Sequence, residues 1–169
     1  MKVILLGYMG SGKSTVSKLV AKNLHIEALD LDDYISEKES DSISNIFNNK
    51  GEIYFRLKEN EYLNELLNRE KSFVLALGGG TPCYANNMGL IKKHANSIYL
   101  KANVHTLYSR LQNETASRPL ISDLNDDKLI EFIAKHLFER APFYEQTDHI
   151  VSIDGKSIDE IVTEVNQIL

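Results

Sequence analysis

The chain alternates short apolar runs with longer segments in which apolar and polar residues recur at helical spacing. Apolar runs short enough for strands lie at residues 3–6, 26–31, 73–77, 98–100 and 149–153. Apolar positions three or four residues apart predict helices after the first run, near the end of the chain, and at 42–48, 52–69, 86–93, 104–112 and 128–143. Strands that alternate with helices predict a five-stranded parallel sheet with helices on both faces, which is a three-layer α/β/α fold.

Length and composition fit one soluble globular domain spanning residues 1–169. Of the 169 residues, 43% are hydrophobic and 25% are charged, and the net charge of −5 argues against nucleic-acid binding. The single cysteine, Cys83, excludes an intramolecular disulfide, and a structural role for it is favoured over a catalytic one. The first strand begins at the amino terminus, and no apolar run is long enough to span a membrane. We therefore expect a cytoplasmic enzyme with no membrane partner. Because the predicted core faces use up the apolar stripes, we also expect a monomer.

A phosphate-binding loop is the clearest motif. The segment from Gly7 to Ser14 fits the pattern G-x-x-x-x-G-K-S/T, and it lies between a strand run and a helical pattern. Glycines let successive backbone N–H groups turn toward phosphate oxygens, and the start of the following helix adds further N–H groups. Lys13 can reach the β- and γ-phosphates, and the Ser14 hydroxyl can bind Mg²⁺. The loop therefore predicts a nucleoside triphosphate site.

Two acidic residues, Asp30 and Asp32, end the second predicted strand. If the strand continues through them, both carboxylates project to one side at the edge where ligands bind in open α/β sheets. The alternative is an acidic helix start, in which Asp32 or Asp33 caps a helix over residues 34–39. The local pattern favours neither interpretation.

Arg56 and three consecutive glycines are further candidates for a site. At helical spacing Arg56 can pair with Glu52 or Glu59, and periodicity alone favours such a surface role. The third strand ends in three glycines, which cost conformational entropy, so close approach by a ligand or another backbone segment is favoured over a flexible connection. These glycines are Gly78, Gly79 and Gly80.

Residues 113–127 are polar and lack core-facing periodicity, which predicts a mobile loop. Arg118 within it is either an ordinary solvated charge or part of a lid that excludes water during phosphoryl transfer. Arg140 lies near the end of the next helix, and Pro142 is predicted to mark that end. The apolar face of this helix is predicted from Leu129, Ile130, Phe132, Ile133 and Leu137.

Six segments occur in an order that resembles the shikimate kinase family, and the resemblance covers essentially the whole chain. They are residues 7–15, Asp30-Leu31-Asp32, Gly51-Glu52 with Phe55-Arg56, Gly78-Gly79-Gly80, Arg118-Pro119-Leu120, and Arg140-Ala141-Pro142-Phe143-Tyr144. The resemblance implies a P-loop NTPase fold like that of nucleoside monophosphate kinases, with a mobile lid at about 113–127 and a shikimate-binding helical region at about 32–69. It also implies transfer of the γ-phosphoryl of ATP to the 3-hydroxyl of shikimate, on the route to chorismate and the aromatic amino acids.

On the nucleotide side, the resemblance implies that Ser14 binds Mg²⁺ and that Asp30 orders the water shell of the metal. It implies that Arg110 lies near adenine and that Arg118 moves in beside the transferring phosphate. The residues it assigns to the triphosphate are Gly10, Ser11, Gly12, Lys13, Ser14 and Thr15.

On the acceptor side, the resemblance implies that Asp32 binds the shikimate hydroxyls and accepts the proton of the attacking one. Arg56 and Arg140 would clamp the carboxylate, because a guanidinium fork forms two parallel charge-assisted hydrogen bonds that lysine cannot match. The remaining implied substrate contacts come from Gly78, Gly79 and Gly80, the last two through backbone N–H groups.

Two other functions stay open on the residues alone. Another small-molecule kinase, for gluconate or a nucleoside monophosphate, would share the phosphate loop, and gluconate would also suit an arginine clamp. A nucleotide-dependent switch is the second, but the guanine-reading pattern N-K-x-D is absent, because Asn49-Lys50-Gly51-Glu52 has glutamate at its last position.

Overall fold

All five predicted strands are present. The computed structural model describes residues 1–112, 121 and 124–169. The strands are β1 (Lys2–Leu6), β2 (Glu27–Asp30), β3 (Phe73–Ala76), β4 (Asn96–Lys101) and β5 (His149–Ser152). They pair in parallel in the order β2-β3-β1-β4-β5, which confirms the predicted five-stranded parallel sheet.

Helices cover both faces of this sheet. Every residue of β3 and all of β1 after Lys2 are buried, which requires packing on both sides of the central strands. Within the described residues the helices are α1 (Lys13–Leu24), α2 (Leu31–Glu39), α3 (Ile43–Leu67), α4 (Asn87–His94), α5 (Val104–Leu111), α6 (Asp126–Tyr144) and α7 (Ile158–Ile168), with a short 3-10 helix at Thr81–Cys83. Helix α1 packs on β1, β2 and β3 and against α7, while α3 contacts α2 and α4, and α5 contacts α6.

The carboxyl ends of β1, β2 and β3 meet at one edge of the sheet. Asp30, the last residue of β2, is in register with Ala76 at the end of β3. The N–H of Leu77 donates to the carbonyl of Leu5 at 3.1 Å, so the chain leaves β3 beside the phosphate loop that follows β1. Three loops far apart in the sequence therefore open onto the same space.

The boundary between β2 and α2 differs from both predicted versions. The strand ends at Asp30, whose Oδ1 accepts a hydrogen bond from the N–H of Asp32 at 3.1 Å. Asp30 is thus the N-cap, and Asp32 lies in the first turn of the helix, so neither the continuous strand nor a cap at Asp32 or Asp33 is correct. A side chain that satisfies an exposed helical N–H favours this early helix start.

Two helices depart from simple periodicity. Gly51 interrupts α3 with φ 83° and ψ 168°, which confirms the predicted break. Pro142 lies inside α6, which continues to Tyr144, so the prediction that this proline marks the helix end is wrong. A proline disturbs the turn before it, and the turn after it is closed by the N–H of Glu145, which donates to Ala141 at 2.9 Å.

The predicted loop at 113–127 is only partly described. α6 begins at Asp126, two residues earlier than expected, because the Asn125 side chain caps it by accepting from the N–H of Lys128 at 3.0 Å. The interpretation of residues 113–120 and 122–123 as a lid, including Arg118, lies outside the described residues. Ile130, expected on the apolar face of α6, is 41% exposed.

Among the helices of the described ranges, not one has the length and apolar character needed to cross a membrane.

Candidate active site

The phosphate loop has the backbone that its glycines predict. Gly12 is the N-cap of α1 with φ 89° and ψ 15°, a left-handed conformation that glycine adopts without steric cost. The next residue, Lys13, begins the helix, and its Nζ donates to the carbonyls of Gly7 and Tyr8, each at 2.9 Å. The lysine ammonium is therefore held by the backbone carbonyls of the loop itself.

Ser14 and Asp30 bring two hard oxygen donors together. The Ser14 hydroxyl donates to Oδ2 of Asp30 at 2.7 Å, while the other carboxylate oxygen caps α2. Oxygen donors of this kind are what Mg²⁺ prefers, and a Mg²⁺ bound with nucleotide usually has only one or two protein ligands. The described residues contain no group of three or more His, Cys, Asp or Glu side chains that could hold a metal by itself.

The Asp32 carboxyl in the cleft has a clearly raised pKa. Burial raises the pKa of its carboxyl to about 6, and the neighbouring charges of Asp30 and Glu59 add to the rise. Lys13 and Arg56 oppose it. A carboxylate of this kind is ionised at neutral pH but binds a proton readily, which is the property expected of a group that handles a substrate hydroxyl.

Each of the three consecutive glycines lies against a different predicted site residue. A methyl group at Gly78 would lie 3.2 Å from Oδ1 of Asp32, and one at Gly79 would lie 3.3 Å from a guanidinium nitrogen of Arg140. A methyl group at Gly80 would come within 2.8 Å of the Arg56 guanidinium. The glycine run is therefore a close approach and not a flexible connection, and it gathers Asp32, Arg140 and Arg56 around one short stretch of backbone.

The surroundings of Arg56 bear on both of its predicted roles, as a surface ion-pair partner of Glu52 or Glu59 and as part of a carboxylate clamp. Its guanidinium pairs with Glu59 at 2.8 Å and with Glu52 at 3.4 Å, as helical spacing suggests. However, the Arg56 side chain is only 16% exposed, so it is no surface charge. Burial lowers the pKa of Arg56, but the charge of Glu59 and its hydrogen bond outweigh that effect and raise it overall. The guanidinium is therefore permanently charged and fixed in place.

Glu59 is a site residue whose importance was missed in the sequence. Its carboxylate is almost completely buried between Arg56 and Thr81, whose hydroxyl donates to Oε1 at 2.5 Å. A buried carboxylate bonded on both sides is expected to hold Arg56 in one orientation. The i, i+3 spacing of Arg56 and Glu59 was the available signal, but burial of the pair depends on β3 and the glycine run.

Tyr144 plays a corresponding role beside Arg140. Its hydroxyl donates to the Gly79 carbonyl at 2.5 Å, and burial raises its pKa, partly opposed by Arg140. On another side, the Arg140 guanidinium carbon lies 5.7 Å from the centre of the Tyr8 ring. Arg140 is thus positioned between the phosphate loop and the glycine run.

Six of the predicted nucleotide residues open onto one cleft of about 780 Å³, whereas Ser11 is buried and does not line it. Arg110 reaches this cleft from α5, and its guanidinium donates to the carbonyl of Gly10 at 3.1 Å. Gly80, Arg56 and Arg140 do not line this cleft, but the two arginines lie against the glycine run whose first two residues border it. Arg118 falls outside the described part of the chain. The cleft is lined by Met9, Gly10, Gly12, Lys13, Ser14, Thr15, Asp30, Asp32, Leu77, Gly78, Gly79, Ser109, Arg110 and Ile158.

Comparison with known proteins gives a consistent result. The sequence profile of the shikimate kinase family matches residues 9–169. A shikimate kinase from Flavobacterium johnsoniae is 46% identical over 169 residues, which cover 99% of this chain and 98% of that protein. The crystal structure of a shikimate kinase from Bacteroides thetaiotaomicron superposes with a TM-score of 0.92 at 32% identity, covering 99% of this chain and 97% of that one. A shikimate kinase from Acinetobacter baumannii, solved in complex with shikimate, gives a TM-score of 0.88 at 30% identity, covering 99% and 91% of the two chains.

Proposed function

The chain belongs to the shikimate kinase family and is an ATP-dependent kinase, and we propose that its cleft transfers the γ-phosphoryl of ATP to the 3-hydroxyl of shikimate. The products are shikimate 3-phosphate and ADP, on the route to chorismate and the aromatic amino acids. The observation that carries the proposal is the glycine run, because three successive residues lie against Asp32, Arg140 and Arg56 beside the phosphate loop.

The phosphate loop supports the nucleotide half of the reaction. Lys13 exchanges its bonds to the carbonyls of Gly7 and Tyr8 for phosphate oxygens, while the N–H groups from Gly10 to Thr15 surround the triphosphate. Arg110, anchored on Gly10, lies where it can border the base or ribose. Transfer through a loose transition state needs little covalent help, so positioning and charge neutralisation supply most of the catalysis.

Ser14 and Asp30 support a divalent metal, which we propose is Mg²⁺. The Ser14 hydroxyl is placed to bind it directly, and the Asp30 carboxylate is placed to accept hydrogen bonds from its water ligands. Bound there with ATP, the metal supplies positive charge to the phosphate oxygens.

The acceptor half rests on Asp32 and two arginines. Arg56 and Arg140 bind the shikimate carboxylate, which orients the ring relative to the phosphate loop. Asp32 accepts hydrogen bonds from the ring hydroxyls and takes the proton of the 3-hydroxyl as its oxygen bonds to phosphorus. Asp32 and Arg56 come from α2 and α3, which supports residues 32–69 as the shikimate-binding region of a single domain.

Arg118 is proposed to stabilise the charge on the transferring phosphate. This assignment rests on the resemblance of Arg118-Pro119-Leu120 alone. We expect Arg118→Ala to lower kcat more than it changes the KM for either substrate, because the proposed contact is strongest in the transition state.

We further propose that the enzyme is a cytoplasmic monomer. Its use of ATP and the free thiol of Cys83 support a reducing compartment. The large exposed apolar side chains are divided among separate elements, with Ile53 and Leu57 on α3 and Phe138 on α6, which supports a chain that functions alone. Sedimentation at micromolar concentration tests the monomer directly.

A coupled assay for ADP release tests the main proposal. The purified protein is given ATP, Mg²⁺ and, separately, shikimate, gluconate or AMP, and the phosphorylated product is identified by ³¹P NMR. We expect rapid ADP release with shikimate only. Activity on gluconate or AMP without activity on shikimate would reject the assignment, as would slow ATP turnover that is indifferent to all three.

A further inference from the structure

Tyr84 lies over the Arg56 guanidinium, although it belongs to none of the six segments that resemble the shikimate kinase family. The guanidinium carbon of Arg56 is 4.2 Å from the centre of the Tyr84 ring, well within the range of a cation–π interaction. The residue is 41% exposed, so the ring shields the cation from water on one side while remaining at the surface itself.

The other contacts of Arg56 hold one side of its fork tightly and the other side only loosely. Nη1 is bonded to Glu59 at 2.8 Å, and the backbone of Gly80 lies close to the terminal nitrogens. Nε is buried and makes no hydrogen bond to any described residue, but it lies 3.4 Å from the exposed carboxylate of Glu52. Nη2 donates to the same Glu52 carboxylate over a long 3.5 Å, a contact that a substrate carboxylate would replace. An N–H donor that is buried but unsatisfied indicates a place for an anionic ligand.

We propose that Tyr84 is a positioning residue for Arg56, holding the guanidinium so that its Nε and Nη2 edge faces the substrate carboxylate. This inference rests on the proposed function, because it concerns how the same site recognises its acceptor. The ring fixes the plane of the guanidinium, and Glu59 fixes its rotation within that plane. Together they leave the fork ordered before the substrate arrives, which reduces the entropy lost on binding.

The segment that carries Tyr84 is itself tightly held. The N–H of Asn87 donates to the Tyr84 carbonyl at 2.9 Å, and the buried Asn87 side chain donates to the Thr81 carbonyl at 2.8 Å. Asn60 of α3 donates to the Asn87 side chain at 2.7 Å, which ties the segment to the helix that carries Arg56. The backbone that carries the Tyr84 ring is therefore held in place relative to the helix that carries Arg56.

The interaction of Tyr84 with Arg56 depends on the aromatic face and not on the hydroxyl. The phenol oxygen lies 3.4 Å from Glu52, a long contact to an exposed group. A phenylalanine at position 84 keeps the aromatic face, whereas a leucine there keeps apolar bulk but has no aromatic face. Because a partly desolvated cation–π contact changes an equilibrium by about 5- to 30-fold, we expect Tyr84→Leu to raise the KM for shikimate by about that factor. The KM for ATP should stay within about twofold, and Tyr84→Phe should restore shikimate recognition.

The decisive experiment is a double-mutant cycle on shikimate affinity, measured by NMR titration for Tyr84→Leu, Arg56→Ala and the combined variant. If Tyr84 acts through Arg56, then Tyr84→Leu has almost no further effect once Arg56 is gone. Tyr34→Leu is the matched control, because Tyr34 also lies over a cation, Lys38, at 5.3 Å but on a different surface. Tyr84→Gln provides a second variant if the leucine form folds poorly.

Three outcomes would overturn the inference: an equal loss of affinity in the Arg56→Ala background, a Tyr84→Phe variant as weak as Tyr84→Leu, or a parallel rise in the KM for ATP. Failure of the proposed function looks different. In that case the wild-type protein itself releases no ADP in response to shikimate, whereas failure of this inference leaves the wild-type activity intact.

Discussion

At the scale of single residues, the site combines one carboxyl that resists ionisation with two guanidinium groups that are always charged. Asp32 has its pKa raised to about 6 by burial and by the nearby carboxylates of Asp30 and Glu59. Desolvation and like charges both favour the protonated form of an acid. The free enzyme therefore holds Asp32 in a state that costs stability at neutral pH, and we expect substrate binding to relieve this cost by supplying hydrogen-bond donors.

We predict that Asp32→Asn abolishes activity but stabilises the free protein at neutral pH. The pKa of the Asp32 carboxyl is higher in the folded protein than the ordinary value of 3.8. The folded state therefore binds this proton more tightly than the unfolded state, and the stability gained in this way is complete below about pH 4 and is lost as the pH rises through about 6. The asparagine form avoids this loss, and we expect a gain of about 1–2 kcal/mol in the free energy of unfolding at pH 7.5, discounted for partial exposure. Urea unfolding at pH 7.5 and pH 4 measures it. A variant that is less stable than wild type at pH 7.5 would contradict the raised pKa.

The substitution Gly80→Ala tests how the position of the Arg56 guanidinium affects shikimate binding. Gly80 has ordinary helical torsions, φ −87° and ψ −22°, so alanine is compatible with the backbone. The new methyl group would lie 2.8 Å from the Arg56 guanidinium, which must move away from its position against Glu59. We expect an at least tenfold weaker affinity for shikimate, with ATP affinity unchanged, because a charge-assisted pair contributes about 1.5–3 kcal/mol. Calorimetry with each substrate measures the two affinities separately. An unchanged affinity for shikimate would mean that Arg56 does not contact shikimate.

At the scale of elements, α3 needs its break to present Arg56. Gly51 combines φ 83° with ψ 168°, a region that is essentially restricted to glycine, and it separates the first part of the helix from the turn that carries Glu52 and Arg56. The sequence located this break because Asn49-Lys50-Gly51 is a recognisable interruption. Periodicity could not show that Arg56 is buried, because that depends on the glycine run packed against it from another part of the chain.

Gly51→Ala and Gly155→Ala form a matched pair. An added methyl group has open space at both positions, so only the backbone conformation is tested. Gly155 has φ 70°, a value that also occurs in the left-handed helical region, which other residues occasionally adopt. We expect Gly51→Ala to cost about 2–3 kcal/mol of unfolding free energy and Gly155→Ala about 1 kcal/mol. Thermal unfolding of both variants measures these losses. Equal losses would mean that the helix break at Gly51 is not essential.

The local boundaries that sequence analysis placed wrongly have simple causes. At the end of β2, a side-chain cap decides where the helix begins, and Asp30 competes for that role with the two aspartates after it. In α6, Pro142 is tolerated because the final turn closes around it through Ala141 and Glu145. Such choices depend on single hydrogen bonds of about 1 kcal/mol, which hydrophobic patterning does not detect.

At the scale of the whole molecule, the order of strands creates the site. Residues from β1, β2 and β3 are separated by tens of positions along the chain, yet their carboxyl ends meet because parallel strands with right-handed crossovers end on the same edge. The alternation of strands and helices therefore predicted both the fold and the location of the cleft. The sequence alone could not supply Glu59 and Tyr144 as supporting groups, since each contacts its partners only after the sheet has assembled.

Substrate binding should be visible in global stability. With shikimate at about 100 times its dissociation constant, linkage adds about 2.7 kcal/mol to the unfolding free energy, or roughly 5–10 °C in Tm for a chain of this size. Arg56→Ala should lower the stability of the free protein, because Glu59 stays buried without its cation, and should remove most of the shift caused by shikimate at the same concentration. The shift caused by ATP should remain. Differential scanning fluorimetry measures wild type and Arg56→Ala, each free, with shikimate and with ATP. A variant that kept the full shikimate shift would exclude Arg56 from the acceptor site.

The three glycines also determine which acceptors the enzyme can be engineered to use. Adjacent α-carbons are about 3.8 Å apart, so the points at which Asp32, Arg140 and Arg56 contact the run are spaced by the repeat of the main chain. Enlarging or trimming neighbouring side chains leaves that repeat unchanged. Redesign for a longer polyhydroxy acid therefore requires a change in the length of this loop, with an insertion that separates the groups it now holds one residue apart.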